Sequence, residues 1–233
     1  MIRSIAGLIL AAGEGRRYGG PKALATSNGK GWLPLAAETL IDAGIGRIAI
    51  VIGSGADAVR TDPDLAPLLA SAGVPDLAPF HAPGRVPVPA PSPALGRVPG
   101  AAITLVHNED WPRGRTGSIQ RGLAALPAGA SGVLIHQVDF PFVRAATLRS
   151  LNDRFLSDPL AEERILVPVF QGRRGHPILI GRGIWSEIRA LGADEPLHLL
   201  LRKDPSRVIE VAVPDAGILR NMNRPPDRET EGT

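Results

Sequence analysis

Short apolar segments that end at glycines or polar turns alternate along this chain with segments of helical periodicity. The first apolar segment, residues 5–12, runs into a glycine-rich loop, and a later one, residues 132–138, leads directly into Asp139. Parallel strands that are buried on both faces have this largely continuous apolar sequence. Strands that alternate with helices favour a mostly parallel sheet covered by helices on both faces. We therefore predict a Rossmann-like three-layer α/β/α sandwich.

The predicted elements follow one another in a regular order. We expect strands at residues 5–11, 47–52, 103–106, 132–138, 165–170, 177–180 and 207–213, and helices at residues 33–43, 56–72, 116–126, 145–155, 183–191 and 197–201. The second of these helices contains two prolines, so we expect it to be broken. Polar residues follow several strands, and sites in such folds gather at the carboxyl ends of the strands.

Length and composition limit how the chain is organised. Its 233 residues suffice for one hydrophobic core, and we expect a single domain over residues 1–233. Proline recurs too often in residues 75–100 for a central strand or a helix interior, which predicts a surface insertion. The polar end of the chain, residues 225–233, is expected to fray.

Composition also excludes several kinds of site. The chain has no cysteine, which rules out disulfides, thiolate metal sites and cysteine nucleophiles. Its apolar runs are shorter than the roughly 18 residues that a membrane span requires, and the first run has no cleavage signal after it. The net charge is only +3 and the basic residues are scattered, which favours a mixed solvated surface over a nucleic-acid surface. We expect a soluble cytoplasmic protein without a membrane or nucleic-acid partner.

The loop after the first predicted strand, residues 10–22, reads Leu-Ala-Ala-Gly-Glu-Gly-Arg-Arg-Tyr-Gly-Gly-Pro-Lys. Its glycines let backbone N–H groups turn toward a ligand, and Arg17 and Lys22 supply positive charge for phosphate oxygens. Two common phosphate loops do not fit, because a dinucleotide fingerprint needs glycine at Tyr18 and a P-loop needs Ser or Thr at Ala23. The alternative interpretation is a flexible glycine-rich turn without a ligand.

This loop resembles the Leu-Ala-Ala-Gly-x-Gly/Ser-x-Arg-x-Gly-x-x-Lys signature of the MobA-like NTP-transferase family. That family includes enzymes that attach GMP or CMP to molybdopterin, and it is related to sugar-phosphate nucleotidyltransferases. The resemblance implies a fold of the nucleotide-diphospho-sugar transferase type, with Arg17 and Lys22 as the catalytic contacts to the triphosphate. It also implies nucleotide contacts from the first part of the loop, at Leu10, Ala11, Ala12, Gly13 and Gly15.

A second segment follows the strand predicted at residues 103–106. Taken alone, it is typical of a loop that ends in a Ser or Thr cap before a helix. It also resembles the Asn-x-x-Trp-x-x-Gly-x-x-x-Ser segment of the family, which contributes to the nucleotide pocket. The resemblance implies nucleotide contacts from Asn108, Gly114 and Ser118.

Two segments carry candidate metal ligands. Asp139 directly follows an apolar strand, and although a lone Asp there can simply form a turn, its carboxylate suits a hard cation that bridges phosphates. In the family this Asp is a ligand of Mg²⁺, which implies that role for Asp139. The segment 221–227 resembles the Asn-x-Asn-Thr-Pro end of family members, which implies a second, neutral ligand at Asn223. A polar turn is the alternative for this segment.

The acceptor side is less defined by the sequence. Family members often carry Gly-His-Pro near the second substrate, which implies a contact from His176, although a turn histidine with a satisfied hydrogen bond is the alternative. Molybdopterin-specific members tend to carry Gly-Asp-x-Gly-Ala-Arg before a helix. Residues 192–198 read Gly-Ala-Asp-Glu-Pro-Leu-His instead, so this chain departs from the family pattern there.

The resemblance implies transfer of a nucleoside monophosphate from an NTP, CTP or GTP in the first place, to a phosphorylated acceptor such as molybdopterin, with Mg²⁺ and release of pyrophosphate. The alternatives are a sugar-phosphate nucleotidyltransferase and a nucleotide-binding regulatory module without transferase activity. An NAD-dependent oxidoreductase is a rival that Tyr18 disfavours. The base, the acceptor and the oligomeric state are left open.

Overall fold

The computed structural model describes residues 3–71 and 101–223, which form a central sheet flanked by helices. The strands are β1 (Ile5–Ala11), β2 (Thr26–Ser27), β3 (Lys30–Gly31), β4 (Arg47–Ile52), β5 (Ala102–His107), β6 (Gly132–Gln137), β7 (Ile165–Phe170), β8 (Arg173–Arg174), β9 (Ile178–Gly181) and β10 (Val208–Ala212). The helices are α1 (Trp32–Asp42), α2 (Ala56–Arg60), α3 (Ala66–Ser71), α4 (Arg115–Ala125), α5 (Ala145–Ser157), α6 (Trp185–Ala190) and α7 (His198–Lys203).

The strand order of the main sheet brings the carboxyl ends of β6, β1 and β4 together, since these strands are neighbours and run parallel. The order is β10-β7-β9-β6-β1-β4-β5, with β8 paired to β7 beside this path. β1 lies between β4 and β6 and runs parallel to both, whereas β9 runs antiparallel between β6 and β7. In this register Leu10 lies opposite Val51 on one side and Gln137 on the other. The loops that leave β1, β4 and β6 therefore start at one edge of the sheet.

Two apolar layers hold the sheet between its helices. Alternation along β1 sends Ile9 and Ala11 to the face covered by α1 and α5, and Leu8 and Leu10 to the face covered by α4 and α6. Each large aliphatic side chain buried in this way contributes about 1.5–3 kcal/mol of transfer free energy to folding. The two layers explain why β1, β4 and β6 are apolar over most of their length.

The predicted fold class is confirmed, and most of the predicted elements are present within one or two residues at each end. The helix predicted at residues 56–72 is two helices, α2 and α3, separated around Pro63, as its prolines indicated. The sequence analysis missed the short hairpin of β2 and β3, whose turn places Asn28 and Gly29 at positive φ. It also missed β8, which has only two residues.

Some predictions lie outside the described residues. The proline-rich insertion at residues 75–100 and the tail at residues 225–233 are both in this category, as are Arg224 to Asp227 of the last motif. The single domain over residues 1–233 stays a prediction. Within the described ranges, no helix has both the length and the apolar character needed to cross a membrane.

Candidate functional site

A cleft of about 520 Å³ opens at the carboxyl ends of β1 and β6. The loop after β1 forms one wall, the segment before α4 and the start of that helix form the other, and the residues that end β6 form the floor. We call it the first cleft. It is lined by Leu10, Ala12, Gly13, Glu14, Gly15, Arg16, Arg17, Lys22, Trp111, Pro112, Gly114, Arg115, Ser118, Gln137, Val138, Asp139 and Asn223.

The glycine-rich loop is wound around a single carbonyl group. The backbone N–H groups of Tyr18, Gly19 and Gly20 all donate to the carbonyl oxygen of Gly15, at 2.8, 3.0 and 3.3 Å. Gly15 has φ of 66°, and a Cβ there would lie 1.9 Å from the carbonyl oxygen of Gly20. Only glycine therefore fits at this position. The ring of Tyr18 packs against buried Trp32, 4.9 Å between centroids, and fastens the loop to the core.

The two cations predicted to contact phosphates have different surroundings. Arg17 is exposed at the first cleft, and its guanidinium has no hydrogen bond or ion pair within the described ranges. The ammonium of Lys22 donates to Oδ2 of Asp139 at 3.1 Å and to Oδ1 of Asn223 at 2.7 Å. The Lys22 and Asp139 side chains are only 13% and 11% exposed. One predicted phosphate contact thus lies between the two predicted metal ligands.

The oxygen atoms around this ammonium suit a hard cation. Asp139 is the second residue after the end of β6, and its carbonyl oxygen accepts a hydrogen bond from the N–H of Met222 at 2.8 Å, which brings Asn223 beside it. No group of three or more His, Cys, Asp or Glu side chains that could hold a metal occurs in the described residues. One carboxylate and one amide oxygen fit Mg²⁺ or Mn²⁺, whose remaining ligands would be water and phosphate oxygens. The residues present therefore fit a cation that binds together with a nucleotide.

The wall that carries α4 contains a buried polar pair. The amide nitrogen of Asn108 donates to the hydroxyl of Ser118 at 2.9 Å, and Asn108 is 1% exposed. Ser118 lines the first cleft and Asn108 lies behind it. Because Ser118 accepts this hydrogen bond, its own hydrogen is free to point toward a ligand acceptor. Asn108 therefore acts on the cleft through Ser118.

The structure brings most of the predicted site residues together. Ten of them line the first cleft: Leu10, Ala12, Gly13, Gly15, Arg17, Lys22, Gly114, Ser118, Asp139 and Asn223. Three predicted contacts lie elsewhere. Ala11 points into the opposite apolar layer because side chains alternate along β1. Asn108 is buried behind the wall, and His176 lines a neighbouring cleft.

The neighbouring cleft, which we call the second cleft, has a volume of about 480 Å³. One part of its wall is aliphatic, and it shares Leu10, Arg115 and Gln137 with the first cleft. It is lined by Leu10, Arg115, Thr116, Ile119, Ile135, Gln137, Val167, Arg174, Gly175, His176, Ile178, Asp194, Glu195, Pro196, Leu197, His198 and Leu201. The two clefts are therefore adjacent and meet above the end of β6.

His176 is an uncharged polar group in the second cleft. Burial, and then the positive charge of Arg115, lower the pKa of its imidazole from 6.5 to about 4. The amide nitrogen of Gln137 lies 3.1 Å from its ring nitrogens, and the ring of Phe140 lies 4.8 Å away between centroids. At neutral pH this side chain offers hydrogen bonding without charge.

Several lining residues of the first cleft were not predicted, namely Glu14, Arg16, Trp111, Pro112, Arg115, Gln137 and Val138. Gln137 did carry a signal, because it is a polar residue near the end of a buried apolar strand. Among the residues that line the second cleft, only Leu10 and His176 were predicted as site residues. Its aliphatic residues have the pattern of core residues, and nothing local in the sequence distinguishes the two situations.

Comparisons with known proteins agree with this geometry. A family model described as the MobA-like NTP transferase domain matches residues 7–208. Nicotine blue oxidoreductase from Paenarthrobacter nicotinovorans is 28% identical over 211 residues, which is 86% of this chain and 83% of that protein.

Solved structures of two other proteins share the fold. Rv0371c from Mycobacterium tuberculosis H37Rv is 23% identical with a TM-score of 0.64, over 91% of this chain and 89% of that one. The same protein has also been solved in complex with manganese. A nucleotidyl transferase from Methanothermobacter thermautotroptrophicus is 20% identical with a TM-score of 0.64, over 95% of this chain and 92% of that one. At these identities the likeness concerns the fold.

Proposed function

The chain belongs to the MobA-like NTP transferase family and is a nucleotidyltransferase, and on that premise we propose that it transfers a nucleoside monophosphate to a phosphorylated small molecule. The donor is a nucleoside triphosphate, CTP or GTP in the first place, and pyrophosphate is released. The observation that carries the proposal is the contact of Lys22 with Asp139 and Asn223 beside the glycine-rich loop. It supports the proposal because a lysine ammonium and two oxygens of the kind that bind Mg²⁺ lie in one cleft.

The reaction needs positioning more than acid–base chemistry. An oxygen of the acceptor phosphate forms a bond to the α-phosphorus of the triphosphate. The bond from that phosphorus to the oxygen bridging to the β-phosphate breaks, and pyrophosphate leaves. An acceptor phosphate is already an adequate nucleophile, so no side chain has to remove a proton. Arg17 and Lys22 are proposed to hold phosphate oxygens and offset their negative charge.

Asp139 and Asn223 are the residues that would hold Mg²⁺ or Mn²⁺. When bound, this cation supplies further positive charge to the phosphate oxygens. We propose that Lys22 then leaves the two oxygens and turns to the phosphates in the same cleft. Ser118, held by Asn108, offers a hydroxyl hydrogen to an acceptor atom of the nucleotide.

The acceptor is proposed to enter the second cleft, which adjoins the first at Leu10, Arg115 and Gln137. Molybdopterin and sugar phosphates are both candidates for this position. The departure of residues 192–198 from the molybdopterin-specific pattern concerns the lining of this cleft, since Asp194 to His198 form part of its wall.

Thermal unfolding with ATP, GTP, CTP and UTP, each with and without Mg²⁺ or Mn²⁺, tests the donor. A triphosphate at about a hundred times its Kd should stabilise the fold by roughly 2.7 kcal/mol. The stabilisation should depend on the metal and be lost in Lys22→Ala. It should persist in the control Lys30→Ala, because Lys30 pairs with Glu38 on the surface and lines neither cleft. If none of the four triphosphates stabilises the chain, the proposal is overturned.

Pyrophosphate release then separates a transferase from a nucleotide-binding regulatory module. With the stabilising triphosphate, molybdopterin and a set of sugar phosphates are offered as acceptors. Release that depends on an acceptor supports the transferase, whereas tight binding with no release under any acceptor favours the regulatory module.

An oxidoreductase is a second candidate, because a curated relative that covers most of this chain carries that name. The aliphatic part of the second cleft could accept an apolar substrate for such a reaction. Tyr18 at the place of the third glycine of a dinucleotide fingerprint disfavours it. Stabilisation by NADH or NADPH, with none by any triphosphate, would favour the oxidoreductase.

A further inference from the structure

Arg115 lies at the junction of the two clefts. Of the three residues that line both clefts, Leu10 and Gln137 are uncharged and Arg115 is the cation. It is the first residue of α4, and it is exposed. The transferred phosphorus must lie between donor and acceptor, so this side chain is placed where the two substrates meet.

The guanidinium of Arg115 is available for a ligand. Within the described residues it makes no side-chain hydrogen bond and no ion pair. The other arginine of the second cleft, Arg174, donates to Glu210 at 2.7 Å, and Arg16 in the first cleft donates to Glu14 at 2.6 Å. An anion that enters the second cleft therefore meets one unpaired arginine, which is Arg115.

The backbone around Arg115 is fixed against the segment that rims the second cleft. The N–H of Gly117 donates to the carbonyl oxygen of Ala193 at 3.3 Å, and the hydroxyl of Thr116 donates to the carbonyl oxygen of Glu195 at 2.5 Å. Gly114 has φ of 145°, and a Cβ there would lie 2.2 Å from the carbonyl oxygen of Ala193. These contacts fix the backbone from which the Arg115 side chain extends.

The rest of the second cleft disfavours further negative charge. Its deeper wall is aliphatic, with Ile135, Val167 and Ile178 contributed by three strands. Its rim carries the carboxylates of Asp194 and Glu195. A polyanionic molecule would meet both an apolar wall and like charges, which is costly. A molecule with one phosphate and an uncharged apolar body would not.

We propose that Arg115 binds the phosphate of the acceptor, and that the acceptor carries a single phosphate on an otherwise uncharged, apolar body. This inference rests on the proposed function. Arg115 would hold the acceptor phosphate while one of its oxygens forms the bond to the α-phosphorus and pyrophosphate leaves from the other side. The apolar body would lie along the aliphatic wall.

Phenyl phosphate, which has one phosphate and an apolar body, is the probe. Its binding to the full chain is measured by calorimetry, both alone and with a non-hydrolysable triphosphate and Mg²⁺ present. We expect Arg115→Ala to weaken phenyl phosphate binding about tenfold to hundredfold, and Arg115→Lys to restore part of it. Arg113→Ala is the matched control, since Arg113 is exposed two residues earlier and lines neither cleft. Triphosphate binding should be unchanged in Arg113→Ala, and in the two Arg115 variants it should weaken less than phenyl phosphate binding does, because Arg115 lines both clefts.

Glucose 1-phosphate and phenol separate the two parts of the acceptor. We expect weaker binding of both than of phenyl phosphate, because one lacks the apolar body and the other lacks the phosphate. The inference is overturned if phenyl phosphate does not bind the wild-type chain, or if it binds Arg115→Ala as tightly as the wild type. If no triphosphate binds but phenyl phosphate binding still requires Arg115, the proposed function fails and the role of Arg115 stands.

Discussion

The first and second clefts are neighbours of similar size, yet they are built in different ways. The first is formed mainly by two loops whose charged and small residues follow one another along the chain, and Lys22 joins them to the end of β6. The second is assembled from side chains of several strands and helices, with an aliphatic wall and polar residues around it. The first cleft suits a charged substrate. Single substitutions in the second cleft would change its lining and leave the loops of the first cleft intact.

Replacing Lys22 by Ala is the most severe way to test the first cleft. We expect kcat/KM for transfer to fall about a hundredfold to a thousandfold, the usual effect of removing one group that offsets charge in a transition state. Steady-state pyrophosphate release measures the change. Lys30→Ala is the control for loss of a lysine charge elsewhere, and a Lys22→Ala enzyme with unchanged turnover would contradict the phosphate role.

Replacing Leu197 by Asp tests whether the second cleft is functionally separate. Leu197 lines that cleft and immediately precedes α7. The new charge on an apolar wall should raise the KM for the acceptor about tenfold or more. Triphosphate binding, measured by thermal stabilisation, should be unchanged.

The control for this variant is Leu197→Met, which keeps an apolar side chain and should retain the KM. Equal losses of triphosphate and acceptor binding in Leu197→Asp would mean that the two clefts do not act as separate subsites.

Lys22 also allows a test of the cation site that needs no turnover. Its ammonium lies between the Asp139 and Asn223 oxygens, at 3.1 and 2.7 Å, where a divalent cation would bind. In the absence of nucleotide, Lys22→Met should therefore bind Mn²⁺ about tenfold more tightly than the wild type, because repulsion by a neighbouring charge is removed. Titration followed by electron paramagnetic resonance measures the free Mn²⁺.

The matched double variant, Lys22→Met with Asp139→Asn, should lose this gain, because the carboxylate ligand is gone. Tighter Mn²⁺ binding that persists in the double variant would place the cation somewhere other than beside Asp139.

The difference between the clefts also explains how much of the site could be predicted. Arg17, Lys22 and Asp139 lie in short segments that follow apolar strands. The residue types in these segments, and the order in which they occur, identify the three side chains as candidates. Their partners could not be predicted, since Lys22 is separated from Asp139 by 117 positions and from Asn223 by 201. The alternation of side chains along β1 would have placed Ala11 in the core, but the family signature covers both faces of the strand.

The fold was more predictable than the second cleft for a physical reason. Apolar runs fix which segments become strands, and helices between them fix a mostly parallel sheet. Ile135, Val167 and Ile178 have the same character as the core residues around them. Whether a helix covers such residues or leaves a cleft over them depends on where the segment 192–201 packs, which is a tertiary effect.

The smallest predicted effect concerns the support of that segment. Glu187 on α6 accepts hydrogen bonds from Arg207 at 2.5 Å and Lys203 at 3.1 Å, and Lys203 ends α7, whose start lines the second cleft. The pKa of Glu187 is lowered from 4.5 to about 2, and the hydrogen bond from Arg207 is the largest cause. Its side chain is 26% exposed, so we expect Glu187→Gln to lower the free energy of unfolding by only about 1 kcal/mol.

The pH dependence of this contribution follows from its sign. The folded chain holds Glu187 ionised more strongly than the unfolded chain does, so the stabilisation is fully present above pH 4.5 and is lost as the pH falls toward about 2. Urea unfolding of wild type and Glu187→Gln should therefore differ at neutral pH and converge in acid, and added salt should narrow the difference. Glu163→Gln, at an exposed carboxylate with no ion pair among the described residues, should match the wild type at neutral pH. If Glu187→Gln lowers the free energy of unfolding by the same amount down to about pH 2, then packing of α6, and not this ion-pair cluster, supports the wall of the second cleft.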